Sequence, residues 1–78
     1  MQAQILLNEV AQQAAKEQTK LNLIAHEKPF DSTHYTATEA RRNALYDFGW
    51  MIERTFNLDN GAAAFAFNDA TLREIANS

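Results

Sequence analysis

Ala3, Leu7, Val10, Ala14, Glu17, Leu21 and Ile24 stand alternately four and three residues apart. Residues at those spacings share one face of an α-helix, and the alternation is the a/d seam of a coiled coil or helical hairpin. Six of the seven are apolar, so a helix carrying this stripe must lay it against another helix. No glycine or proline interrupts residues 3 to 26, which are rich in the good helix formers Ala, Gln, Leu, Glu and Lys. The first third of the chain is therefore expected to be one long helix. Glu17 is the exception on the seam, and a lone charge there either sits at an open edge or fixes register with a partner charge.

Residues 27 to 35, EKPFDSTHY, are predicted to form a loop, because Pro29 lacks an N–H and restricts the residue before it. Thr36-Ala-Thr-Glu39 fits a capping box, with Thr38 an equally good cap, so a second helix is expected over about residues 37 to 56. On it Ala44, Leu45, Phe48, Met51, Ile52, Thr55 and Phe56 gather on one face at ~100° per residue. That face is the predicted core side. Arg41 lies on the same arc, and in an antiparallel hairpin it comes within a turn of Glu17; the two either pair and set register or stay separately solvated, and the second is the favoured reading.

Residues 57 to 61, NLDNG, read as a turn. Residues 62 to 78 allow two readings. A continuous helix puts Ala64, Phe65, Leu72, Ile75 and Ala76 on one face and leaves Phe67 outside it. A new cap at Asn68 or Asp69 makes residues 62 to 67 a separate apolar turn or short strand, and this broken form is the favoured reading. No second strand is available to pair with residues 64 to 67. The expected fold is all-α: one small three-helix domain over residues 1 to 78, with a long N-terminal helical hairpin. A chain of 78 residues buries only about 60% of its unfolded surface, which leaves room for one core.

Charge and composition narrow the function. The net charge is -3, with three lysines against three acids in residues 1 to 28 and four arginines against seven acids after them. The only basic pair, Arg41 and Arg42, is flanked by Glu39 and Asp47, so phosphate-driven nucleic-acid binding is disfavoured. A helix-turn-helix reading fares no better, since its recognition helix DATLREIANS sets Arg73 against Asp69 and Glu74. With no cysteine, thiolate zinc sites, disulfides and cysteine nucleophiles are excluded. No signal peptide or apolar run of membrane-spanning length is visible, and a cytoplasmic protein is expected.

No catalytic, cofactor or metal site is expected either. Two glycines, Gly49 and Gly61, are too few for a phosphate-cradling loop. His26 and His34, near Glu27 and Asp31, lack a recognised ligand spacing, and zinc or iron needs three or four ligands held rigidly. Asp31, Ser32 and His34 are triad residue types, but neighbours in sequence seldom converge in triad geometry.

What remains is one surface. With Leu45 at zero on the helical wheel, Tyr46 and Trp50 fall near 100° to 140°, away from the predicted core side. Asn43 and Arg54 lie beside them, Glu39 and Glu53 border the patch on either side, and the acidic Asp47 and Glu53 favour a basic partner. Tyr, Trp and Arg together are the composition of binding hot spots. Three arrangements suit this face: the last segment folds back over it, a partner covers it, or a second copy does. Gly49, costly inside a helix by about 1 kcal/mol, marks either a close helix crossing or a position kept open beside Trp50.

The functional expectation is a non-enzymatic protein–protein interaction module. It would be a small inhibitor, antitoxin-like or adaptor protein, of the kind that phages and plasmids encode, occupying a surface on a larger and basic partner through Asn43, Tyr46, Asp47, Trp50, Glu53 and Arg54. The alternative is a structural homo-oligomer built on the first-helix seam.

Overall fold

In the computed structural model, which describes residues 2 to 77, the chain forms three helices: α1 (Ala3–Ala25), α2 (Ser32–Thr55) and α3 (Ala62–Ala76). There is no strand among the described residues. α1 packs along both α2 and α3, which touch each other less. The predicted seam is its buried face: Leu7, Val10, Ala14, Leu21 and Ile24 are buried, and Ala3 and Glu17 partly so. Ala11 and Ala15, beside the seam, are buried as well. They widen the stripe so that one helix can serve two neighbours. The seam on which the alternative reading paired two chains is thus filled within one chain.

The first connection is shorter than predicted, because α2 begins at Ser32. Asp31 is its N-cap, in an extended conformation, and its Oδ1 accepts the His34 backbone N–H at 2.9 Å. Aspartate ranks above threonine as a cap, and the Phe30 and Tyr35 rings, 5.5 Å apart, brace the added turn. Thr36 and Thr38, the caps expected from the sequence, lie inside the helix. Thr38 is fully buried and its hydroxyl accepts from Arg41 Nη2 at 3.0 Å. At its other end α2 closes in a Schellman motif: Asn57 takes φ 52°, and the N–H groups of Leu58 and Asn57 donate to the carbonyls of Glu53 and Arg54.

α3 is one continuous helix, which corrects the favoured reading of a break at Asn68 or Asp69. Its start is satisfied from outside. Gly61, in the left-handed region at φ 92°, supplies no side chain to cap it. Instead Glu53 of α2 reaches across, and its Oε1 accepts the Ala63 N–H at 2.7 Å. Asp69, one of the two residues that suggested a second cap, instead pairs with Arg73 at 2.8 Å, and Thr71 Oγ1 donates to the Phe67 carbonyl at 2.8 Å inside the helix.

α3 runs alongside α1 in the same direction, its first turn beside Gln4 and its last beside Gln12 and Lys16. Its 15 residues span about 22 Å, against about 35 Å for α1. The far part of the hairpin is therefore two helices thick, and the molecule is 44 Å long. There Leu21, Ile24 and Thr38 are buried. A polar ladder stands below them, where α3 ends: Arg42 Nη1 donates to Gln18 Oε1 at 2.7 Å, and Arg41 Nε stands 3.5 Å from Glu17 Oε2. Glu17 and Arg41 do pair, against the favoured reading of two solvated charges, in ion-pair rather than hydrogen-bond geometry. Lys20 shares the same carboxylate at 3.3 Å.

Candidate protein-binding surface

The packed face of α2 differs from the one its large apolar residues predict. Thr38, Gly49, Ile52 and Glu53 are buried, with Leu45, Tyr46 and Arg42 partly so, whereas Ala44, Phe48, Met51 and Phe56 of the predicted core side are exposed. The arc is turned by about 90° from expectation at ~100° per residue. Gly49 explains why. The Phe67 ring of α3 lies against it so closely that a Cβ built there would come within 2.8 Å of Cε2 and nearer still to Cζ. Close approach of α3 to the small residue outweighs burial of the larger ones.

α3 repeats the pattern. Its buried residues are Ala63, Ala66, Phe67 and Ala70, while Phe65 and Leu72 are 75% and 58% exposed. Phe67, which the continuous-helix reading left outside, enters the core and belongs to the same buried cluster as Ala11, Ala14 and Ala15 of α1.

The six candidate contact residues therefore separate. Glu53 is buried and caps α3, which removes it from the contact surface. Tyr46 is half-buried, its ring meeting Phe67 edge-on at 4.8 Å with the Arg42 guanidinium 5.4 Å over its centre. Its aromatic partner is thus Phe67 rather than Trp50, and Tyr46 forms the inner rim of the patch. Asn43, Asp47, Trp50 and Arg54 are all exposed. Spaced four, three and four residues apart, they make one straight row along α2. Trp50 is 41% exposed. Asn43 is held by Arg42, whose Nη2 and Nε donate to its Oδ1 at 2.9 and 3.2 Å, so the row is partly pre-ordered. α3 thus folds back over the Tyr46 and Glu53 side of this face and leaves the Trp50 row open.

Two of the residues weighed for chemistry, His26 and Asp31, have structural partners. The His26 ring donates from Nδ1 to the Asn22 carbonyl at 2.7 Å, and Asp31 caps α2. Among the described residues no three His, Cys, Asp or Glu side chains stand together in a metal-holding group. No helix among them is long and apolar enough to cross a membrane. Arg73, the one basic residue of the supposed recognition helix, is paired with Asp69.

A second surface was missed by the sequence reading. The exposed side of α2 opposite α3 carries Ala37, Ala40, Ala44, Phe48 and Met51, none of them charged. Near its start is a shallow groove lined by Ser32, Thr33, Thr36, Ala37 and Ala40. The signal for it was Gly49, whose position a quarter turn away names the packed side better than Phe48 and Met51 do. Compared with protein-family models, curated proteins and solved structures, the chain has no match in any of the three.

Proposed function

We propose that this protein acts without chemistry of its own, by laying the Asn43–Asp47–Trp50–Arg54 row of α2 on a larger protein whose activity or placement it thereby controls, as an inhibitor, antitoxin-like protein or adaptor. The observation that carries the reading is Trp50: the chain's only tryptophan is 41% exposed on α2 with an arginine one turn away. Tryptophan and arginine offer large contact area and directional bonds, and dominate the energetics of protein interfaces. A helix held from behind by α1 and α3 presents them with little ordering left to do on binding. The net charge of -3, together with Asp47 at the centre of the row, favours a partner with a basic surface, drawn in at a rate that falls with salt.

Immobilised wild-type protein and its Trp50→Ala variant, incubated with lysate of the native host, test this reading. A protein retained by wild type and by Phe48→Ala, yet lost with Trp50→Ala while circular dichroism is unchanged, is the expected result. Retention of the same proteins by wild type and Trp50→Ala would overturn it.

A further inference from the structure

The outer stripe of α2 lies on the side away from α3, out of line with the Trp50 row, so whatever covers it leaves that row accessible. Its residues are graded by size along the helix. Ala37 and Ala40 are small, Ala44 stands in the middle, and Phe48 and Met51 are large. Both large residues are exposed, at 41% and 48%, and at the small end the surface sinks into the groove from Ser32 to Ala40.

We propose that this stripe binds a second copy of the chain, with the two α2 helices antiparallel and the two-fold axis at Ala44. An isologous contact must be self-complementary, and this stripe meets that condition in one register. At 1.5 Å per residue, Ala40 and Phe48 lie about 6 Å on either side of Ala44, and Ala37 and Met51 about 10.5 Å. Antiparallel pairing about Ala44 therefore sets Phe48 level with the other copy's Ala40, and Met51 level with its Ala37. Each copy places its large end over the groove of the other. On the rims Arg41 comes level with Asp47, so opposite charges share a level at both ends and no like pair does. A parallel pairing would instead stack Phe48 on Phe48 beside two facing alanine grooves, leaving one end overfilled and the other hollow.

Ala44 faces its own copy across the axis, and that position provides the test. It is exposed in the single chain, so a charge there leaves the fold intact. Wild type should rise in sedimentation from 8.8 kDa towards twice that mass as concentration increases. Ala44→Glu and Ala44→Lys should each remain at monomer mass, because like charges then meet at the axis, and an equal mixture of the two should regain association. Because the chain has no cysteine, introduced thiols report register without background: in a glutathione redox buffer Ala44→Cys should form a disulfide-linked dimer, whereas Asn43→Cys, on the other side of α2, should not. Several outcomes would overturn the proposal: monomer mass at every concentration, association that survives Ala44→Glu, cross-linking of Asn43→Cys as efficient as that of Ala44→Cys, or self-cross-linking of Ala37→Cys alone, which signals a parallel pair. Capture of a larger protein through Trp50 is read separately and stands or falls independently.

Discussion

Gly49 and Glu53, one turn apart on α2, decide how the third helix docks. Gly49 admits the Phe67 ring, and Glu53 completes the start of α3. Alanine at an ordinary helical position gains about 1 kcal/mol over glycine, but here its Cβ would strike an aromatic ring held between three helices. Gly49→Ala is expected to destabilise the fold by about 1–2 kcal/mol net, the overpacking cost exceeding the propensity gain. Urea unfolding measures it, and Phe67→Leu in the same chain should recover part of the loss. A stabilising Gly49→Ala would show that the ring yields freely. For Glu53 the contrast lies between isosteres: Glu53→Ala strips the Ala63 N–H of its acceptor and should cost about 1–2 kcal/mol, whereas Glu53→Gln keeps an acceptor of the same reach and should cost less. Equal losses from the two would assign the effect to the charge, since glutamine keeps both the packing and the acceptor. Two residues that looked like a helix fault and an acidic contact are both parts of the core.

Among the elements, α1 was legible and the other two were legible only in part. Its seam is written in residues of clear polarity at strict spacing, and nothing in the tertiary structure competes with it. α2 was found at the right place but started a turn late and faced the wrong way. Its start was misjudged because TATE presents a capping box, yet Asp31 lies upstream and the chain gains another hydrogen-bonded turn by using it. Asp31→Ala should therefore shorten α2 by about a turn and cost about 1 kcal/mol, seen as a loss of far-ultraviolet helical signal with a lowered unfolding midpoint. Thr36→Ala and Glu39→Ala, which would break the expected box, should leave the helix start unchanged. The orientation was misjudged because a hydrophobic wheel weighs Phe and Met heavily and Ala and Gly scarcely at all. In this molecule the small residues mark the closest contacts.

For the whole molecule the outcome is a thin, long body with much of its apolar surface outside. Its radius of gyration is 13.5 Å, against about 11.5 Å for a compact chain of this length. The cluster joining the three helices is built mainly from alanines around Leu7, Val10, Ile52 and Phe67, while ten large apolar side chains among the described residues are exposed. A core of this kind gains less from burial than one filled with Leu and Ile, each worth about 1.5–3 kcal/mol, so association has stability left to add. The fluorescence of Trp50 reads this arrangement from outside. Emission should be red-shifted and readily quenched by acrylamide, and should stay so at concentrations where the chains pair, because the pairing stripe lies on another side of α2. A blue-shifted, protected signal would place Trp50 in the interior, and quenching that weakens with concentration would put the Trp50 row itself between the copies.

Polarity at regular spacing determined, from the sequence by itself, that this chain makes three helices, that the first two form a hairpin, and that Arg41 comes within a turn of Glu17. Asn43, Asp47, Trp50 and Arg54 were likewise legible as one row on the side of α2 away from its large apolar residues, but that α3 leaves this row uncovered was not. Which side of α2 and α3 turns inward was decided only by tertiary structure. Packing selects for closeness of approach as well as for apolar area, and closeness depends on a glycine, a line of alanines and one phenylalanine fitting one another across three helices. For the same reason Glu53 could be read as a surface acid until the start of α3, ten residues on in the chain, was seen to need its carboxylate.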